Sequence, residues 1–415
     1  MKVFKFGGAS VKDAASVKNL AQILKHYADK NTVVIVSAMG KMTNAFEGLI
    51  DNYLNNSSDL EASIMAIQQY HHTIASDLFS DLNHPIFKAI QTHFDALTSI
   101  LNTNDSTDFD FVYDQIIGFG ELLSTTIVSA YLNDFGVENK WLDVRDFIKT
   151  DSNYRRATVD WEVTTRLIEP LQSVSSMVVT QGFLGSHTKH TTTLGREGSD
   201  YSAAIFAYGL HAESVTIWKD VPGVLNADPR HFLEAQLLEQ LSYREAIELA
   251  FYGASVIHPK TLQPLQQKGI PLFVKSFLNP EAKGTKVQAE NGNTPQIPCY
   301  IVKKNQLLIG LTSLDFSYIV EENISDIFNI LHLFKMKVDL IQNSAISFSV
   351  CVEDGFHNIE QVVKHFQIKY KVTLVKNVSL YTVRHYNAEA IALIEKNKDI
   401  LLKQRTQDTV QIVTI

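Results

Sequence analysis

Through the first two thirds of the chain, unbroken apolar runs alternate with stretches of helical spacing. Thr32–Val36 reads Thr-Val-Val-Ile-Val, with apolar residues on both faces, as a strand buried on both sides does; residues 176–180 and 214–218 have the same character. Between them, Val11, Ala14, Val17, Leu20, Ala21 and Leu24 share one helical face, and residues 120–135 and 201–210 carry the same period. This alternation predicts a mainly parallel sheet sandwiched by helices. Residues from about 45 to 115 differ. They show helical spacing broken by polar clusters such as Asn55-Asn56-Ser57-Ser58, and no strand, which predicts a helical segment over the substrate end of the sheet.

A cluster of turn formers, Asn291-Gly292-Asn293-Thr294-Pro295, marks a boundary. Beyond it come a strand at 307–312, a helix at 323–334, strands at 338–342 and 346–352, a helix at 358–366 and a strand at 372–375. That order is βαββαβ, a ferredoxin-like unit. A shorter set follows, with strands at 379–384, 400–404 and 410–414 and a helix at 388–396. The expected class is therefore α/β followed by two ferredoxin-like units, the second one trimmed.

At 415 residues the chain is long enough for two or three domains. A formal net charge of −8 offers no basic footprint for nucleic acid, so any anionic ligand must be met by local cations, with Lys5, Arg196, Lys219 and Arg230 the candidates. Only Cys299 and Cys351 occur, too few for a disulfide framework. The amino-terminal Met-Lys-Val-Phe-Lys-Phe does not read as a signal peptide, and no apolar run approaches the roughly 20 residues of a membrane span; a cytoplasmic location without membrane contact is expected. No zinc-type spacing is present, so no resident metal is expected. His71-His72 and His187/His190 lie in polar stretches and read as solvent-facing, while His258 precedes Pro259 and reads as fixing a loop.

The chemistry begins at Lys5-Phe6-Gly7-Gly8-Ala9-Ser10-Val11-Lys12. A lysine closing a strand, two glycines that allow a tight turn, and the hydroxyl of Ser10 at a helix start make a site for an anion, because amides at a helix amino terminus point outward with partial positive charge. Walker-type loops place the lysine after the glycines; here it precedes them. Alone, a Gly-Gly after a strand reads as a plain turn. A second segment of the same design, Thr191-Thr192-Thr193-Leu194-Gly195-Arg196-Glu197-Gly198-Ser199-Asp200-Tyr201, raises the pair above that reading.

Together these segments resemble the aspartate kinases of the amino acid kinase family. Ser37-Ala38-Met39-Gly40-Lys41-Met42-Thr43-Asn44, Gly118-Phe119-Gly120-Glu121, Gln181-Gly182-Phe183, Trp218-Lys219-Asp220-Val221-Pro222-Gly223-Val224, Ala227-Asp228-Pro229-Arg230 and Gly253-Ala254-Ser255-Val256-Ile257-His258-Pro259 follow in the family's order. The resemblance implies a catalytic domain over 1–292 and paired ACT regulatory units, one at 307–377 and the other at 298–304 plus 378–415. It implies transfer of the γ-phosphoryl of ATP, accompanied by Mg²⁺, to the β-carboxylate of L-aspartate. A carboxylate is already nucleophilic at pH 7, so positioning and charge stabilisation carry such a step. Lys5 and Asp200 are then the catalytic pair, with Ser199 or Asp200 also suited to capping the helix. Arg196, with a planar fork that suits a carboxylate, and Glu121, an acceptor for the α-ammonium, would recognise aspartate beside Ser37, Thr43 and Phe183. ATP would meet Lys5, Gly7, Gly8, Ser10, Ser199, Lys219, Asp220, Val224, Asp228 and Arg230.

Some positions depart from the family pattern. Ala9 stands where many relatives have threonine, Glu197 replaces a glycine, and Leu225 and Ser255 replace a tyrosine and a lysine that touch nucleotide. Lysine-sensing relatives bind their effector at an Asp-bearing strand between ACT units of two subunits. Asp339 survives, but Val320-Glu321-Glu322-Asn323 and Gln342-Asn343-Ser344-Ala345 depart from the pattern, so any amino-acid effector, lysine in particular, is expected to act weakly. The resemblance also implies a homodimer through the ACT units. The alternatives are a sibling kinase acting on another carboxylate and an amino-acid sensor with an inactive kinase domain; retention of Lys5, Glu121, Arg196 and Asp200 argues against the second.

Overall fold

A computed structural model describes residues 1–254, 257–289 and 297–415. The boundary expected at 291–295, and Ser255, lie outside the described residues. The chain divides into two compact units. The first comprises Met1–Val224, Leu237–Ile247 and 257–289, and the second Leu225–Gln236, 248–254 and 297–415.

The first unit is built on an eight-stranded sheet. Its strands are β1 (Lys2–Phe6), β2 (Thr32–Val36), β3 (Asn139–Leu142), β4 (Met177–Gln181), β7 (Ser214–Lys219), β8 (Gln240–Ser242), β9 (Leu272–Ser276) and β10 (Thr285–Gln288), with a separate hairpin of β5 (Leu184–His187) and β6 (His190–Thr193). The order is β3-β4-β2-β1-β7-β9-β10-β8, and every pair is parallel except β9 with β10. Every residue of β2 and β4 is buried, which explains why their sequences do not alternate: helices cover both faces. From β1 the chain runs to β2 on one side and to β7 on the other, so the carboxyl end of β1 lies at a switch in strand order. Open α/β sheets bind ligands at such a point.

The helices are α1 (Ala14–Tyr27), α2 (Met42–Leu54), α3 (Leu60–Leu78), α4 (Pro85–Thr103), α5 (Phe109–Ile117), α6 (Phe119–Asp134), α7 (Trp161–Ile168), α8 (Gly198–Leu210), α9 (Tyr243–Tyr252) and α10 (Pro259–Lys268). Helices α2 to α5 make the predicted helical segment. His71 corrects the expectation of a solvent-facing histidine. It is completely buried in α3, with Nδ1 2.8 Å from the Ile67 carbonyl, and burial lowers its pKa to about 4. The α5–α6 stretch, Phe109–Asp134, also corrects the reading of apolar runs. It is long and apolar enough to cross a membrane, yet 78% of its apolar window is buried within the fold, as befits a core helix pair.

In the second unit, β11 (Cys299–Ser313), α11 (Glu321–Leu333), β12 (Lys337–Asn343), β13 (Ser347–Glu353), α12 (Ile359–Phe366), β14 (Tyr370–Arg384), α13 (Ala388–Glu395), β15 (Ile400–Arg405) and β16 (Thr409–Thr414) form one antiparallel six-stranded sheet, ordered β12-β13-β11-β14-β16-β15. Where the sequence predicts two separate sets of short strands, the structure fuses them. The strands at 298–304 and 307–312 are one 15-residue strand, and those at 372–375 and 379–384 another. The β11–β14 ladder crosses the junction with register shifts near Lys303 and Gln306, so bulges mark the former boundary instead of loops. One core packs α11 and α12 through Ile327, Leu331, Val362 and Phe366 onto Ile309, Leu311 and Phe348. A smaller one packs α13 onto Val383, Val410 and Ile412.

Candidate active site

Lys5 lies near the carboxyl end of β1, flanked by β2 and β7 in parallel register. Strand alternation sends Phe4 and Phe6 into the core, where Phe6 stacks on Trp218 at 6.0 Å, and Lys5 the other way. Its ammonium sits 2.6 Å from Asp200 Oδ1, and the Lys219 ammonium, from the end of β7, sits 3.4 Å from Asp200 Oδ2. Asp200 is in the first turn of α8 and its side chain is only 4% exposed. Burial alone would push its carboxyl up, but Lys5 and Lys219 outweigh that and hold it below the usual carboxylate range. One carboxylate thus anchors two cations and leaves the group with a net positive charge.

Beside it the two glycine loops interlock. Gly40 N–H donates to the Gly8 carbonyl at 3.0 Å. A Cβ on Gly8 would stand 2.8 Å from the Gly40 carbonyl and 2.9 Å from that of Ala38, so only glycine fits. At Gly7 a Cβ would meet only the Lys5 ammonium, at 3.4 Å, so the space over that ammonium stays clear because the residue has no side chain. Anionic oxygens fit such a cradle.

On the far side of these loops Glu121, in the first turn of α6, is 3% exposed and accepts the Ala38 N–H at 3.3 Å. Burial pushes its pKa up to about 8 against the pull of that hydrogen bond and of Lys5. Near neutral pH this favours the protonated acid, and a neighbouring ammonium would favour the carboxylate. Ser124 donates to the Ser37 carbonyl at 2.7 Å, which fixes the Ser37–Gly40 loop to α6. Thr43 stands at the start of α2 and is half-buried. Phe183 follows β4 with φ of 70°, a left-handed conformation that costs a bulky residue about 1–3 kcal/mol. The Ser202 hydroxyl holds its N–H at 2.9 Å, and a Cβ on Gly198 would stand 2.6 Å from its ring. Arg196 is exposed on the turn between β6 and α8.

The structure therefore brings Lys5, Gly7, Gly8, Ser37, Glu121, Ser199, Asp200 and Lys219 to one end of the sheet, with Thr43, Phe183 and Arg196 on the elements that border it. The capping expectation is corrected. Neither Ser199 nor Asp200 caps α8; Glu197 holds the cap position in a left-handed conformation, without a side-chain cap. The Ser10 hydroxyl is buried and directed at the Trp218 carbonyl, 3.5 Å away, so it faces backbone instead of an open anion site. Val224 is 3% exposed with its N–H on Thr285 Oγ1 at 2.8 Å, a core residue. Asp220 is exposed. Asp228 and Arg230 belong to the second unit. Their side chains pair with each other at 2.6 Å, so the turn does not present an unpartnered cation.

Two buried polar residues behind the site were not read as functional from the sequence. Gln181, buried at the end of β4, donates to Thr125 Oγ1 at 2.7 Å and accepts the Val144 N–H at 2.8 Å. Asp114 is wholly buried and accepts three hydrogen bonds. An acid set among Val112, Tyr113, Ile116 and Ile117 was the available signal, since charged residues are almost never fully buried unless partnered.

A parallel sheet with a cationic, glycine-lined cradle at its strand-order switch and a buried acid opposite defines a phosphoryl-transferring enzyme acting on a small acceptor. The family model described as Amino acid kinase family matches residues 1–276, and the chain belongs to that family. The sequence is 34% identical over 358 residues to the lysine-sensitive aspartokinase 3 of Escherichia coli, covering 85% of this chain and 78% of that one. Structures of E. coli aspartokinase III match all of this chain. The complex with lysine and aspartate, a T-state, gives a TM-score of 0.83 at 28% identity over 95% of that chain, and the complex with aspartate and ADP, an R-state, gives 0.81 at 27% identity over 96%. Within the family, the resemblance is to aspartokinases across both units.

Proposed function

We propose that the chain is an aspartate kinase, converting ATP and L-aspartate to ADP and 4-phospho-L-aspartate in the biosynthesis of lysine, threonine and methionine. The observation that carries this is the Lys5–Asp200–Lys219 group under the Gly7–Gly8 turn. Two ammonium groups held by one carboxylate match the charge that develops on a phosphoryl group in flight, and they are already in place, so little reorganisation accompanies transfer. Asp200 orients both lysines. The aspartate β-carboxylate attacks the γ-phosphorus in line, and the bond to the β,γ-bridging oxygen breaks, leaving ADP. Glu121 accepts the α-ammonium and Arg196 a carboxylate of the same substrate. Mg²⁺ fits as a companion of the nucleotide, on phosphate oxygens and water, as this ion is commonly held; it would neutralise phosphate charge there.

The same reading takes 1–292 as the catalytic domain, and 307–377 and 298–304 plus 378–415 as ACT units. These place an amino-acid effector and a two-fold dimer contact in the second unit, in a cytoplasmic enzyme. Incubation with MgATP, L-aspartate and hydroxylamine tests the reaction, since acyl phosphates are trapped as hydroxamates. Hydroxamate with aspartate and none with glutamate is expected. Turnover with another acid only, or with none, would overturn it.

A further inference from the structure

We infer that Asp114, which does not reach the cleft, is a positioning residue for the loop that carries Arg196. This rests on the aspartate kinase reading for what Arg196 binds, and on geometry for the rest. Asp114 projects from α5. Its Oδ2 accepts two backbone N–H groups, from Arg155 at 2.9 Å and Thr193 at 2.8 Å, and its Oδ1 accepts the Thr193 hydroxyl at 2.8 Å. Thr193 is the last residue of β6, and its carbonyl is taken by the Ala157 N–H at 3.0 Å. Both sides of that residue are therefore fixed immediately before the Leu194–Glu197 turn.

Arg155 is the other half of the support. A Cβ on Gly195 would stand 3.1 Å from its carbonyl, so the turn carrying Arg196 rests directly on it. Arg155 adopts φ of 63°, unfavourable without tethers. It has several, all from α5: the Asp114 oxygen, an ion pair with Asp110 at 3.1 Å, and the faces of Tyr113 at 4.5 Å and Phe109 at 5.2 Å. Gln115 completes the seam by exchanging hydrogen bonds with the backbone of Thr191, at 2.9 and 3.1 Å. Helix α5 thus grips Thr193, which leads into the Arg196 turn, and Arg155, on which that turn rests. Burial pushes the Asp114 pKa up to about 6, but the carboxyl remains ionised at pH 7 and accepts all three bonds. Tyr113 in turn donates to Glu47 of α2 at 2.9 Å, so the grip reaches the helix whose first turn carries Thr43.

Two substitutions separate positioning from mere bulk. Asp114→Leu strands two backbone N–H groups, the buried one of Thr193 and the part-buried one of Arg155. Asp114→Asn keeps an acceptor for both, with its amide facing the Thr193 hydroxyl, which can turn to accept. In Asp114→Leu the KM for aspartate should rise about tenfold or more, with ADP affinity by calorimetry within about twofold; Asp114→Asn should stay within about threefold of the parent on both. Hydrogen exchange read on peptides covering 190–200 should accelerate in Asp114→Leu only, while peptides covering 214–219 stay unchanged. Unchanged exchange at 190–200 in folded Asp114→Leu, or equal loss of aspartate and ADP binding, would overturn the inference. If the parent protein makes no aspartyl hydroxamate, the kinase reading fails, and the exchange result still decides whether Asp114 holds the loop.

Discussion

Among the described residues, each unit holds a buried aspartate that meets lysine, and the two arrangements do opposite things. In the first unit Asp200 serves both Lys5 and Lys219, at 2.6 and 3.4 Å. In the second, Asp339 of β12 meets the single ammonium of Lys303 at 2.7 Å, with the side chains 5% and 15% exposed. The first group is left with excess positive charge under a turn cleared by glycines. The second balances one to one, and the Lys303 stem is covered: a Cβ on Gly253 would stand 2.6 Å from its Cε. Distance and burial are nearly the same. Charge count and open space separate a site for a polyanion from a closed structural pair.

The comparison breaks most sharply at the lysines. Lys5→Ala should lower aspartate-dependent hydroxamate formation by about 10³-fold, the scale for losing a preorganised charge-stabilising donor. Lys303→Ala should leave turnover within a few fold. Equal losses from the two would erase the distinction.

Stability gives the converse test. Removing one partner of a buried pair strands the other, at a cost of about 3–5 kcal/mol where burial is complete. Lys303 retains some exposure, so Lys303→Met should cost about 3 kcal/mol in denaturant unfolding. Lys303→Met with Asp339→Leu should recover most of that, because no charge is left buried. A double variant as unstable as the single would show that the contact matters through packing.

A smaller effect sharpens the account of the open site. Glu121 has a pKa of about 8 in the native state against 4.5 for the free side chain. Native protein therefore holds a proton that the unfolded chain has lost, and stability from this group is complete below pH 4.5 and declines as pH rises through about 8. Binding an α-ammonium reverses the preference. Aspartate affinity should rise about tenfold between pH 6.5 and 8, and calorimetry in two buffers at pH 7 should show close to one proton released. Glu121→Gln should abolish both effects; persistence of the proton release would remove Glu121 from the site.

How far these regions could be read in advance follows the same division. Strands β1, β2 and β7 and the helical segment were legible because each is tied to local sequence, and so was Lys5 ahead of its glycine turn, whereas Glu121 and Asp200 were singled out through the family resemblance. Lys219 was read as a nucleotide contact; that it also meets Asp200 is a pairing made by strand order. The fusion of short strands into β11 and β14 was hidden because bulges leave no turn signal. Ser10 looked available because a hydroxyl at a helix start usually is, and only tertiary packing directs it to Trp218. Asp114 was invisible as a functional residue since its partners lie about 40 and 80 positions away.

The weakest expected effect concerns lysine as an effector, and it follows from the closed pair. If Asp339 is where an effector ammonium would dock, as the family resemblance implies, that position already holds one, at 2.7 Å from Lys303. An incoming lysine must displace a tethered ammonium whose local concentration is far higher than its own. It must also do so beside Cys351, a buried neutral thiol that offers no replacement charge. Low-millimolar lysine should therefore leave turnover nearly unchanged and move the melting temperature by less than about 1 °C, since a ligand stabilises only in proportion to its occupancy. Lys303→Met should open the carboxylate and make both responses measurable. Half-inhibition of the parent protein at low-millimolar lysine would show that effector and Lys303 do not compete, and that the second pair is less closed than its geometry indicates.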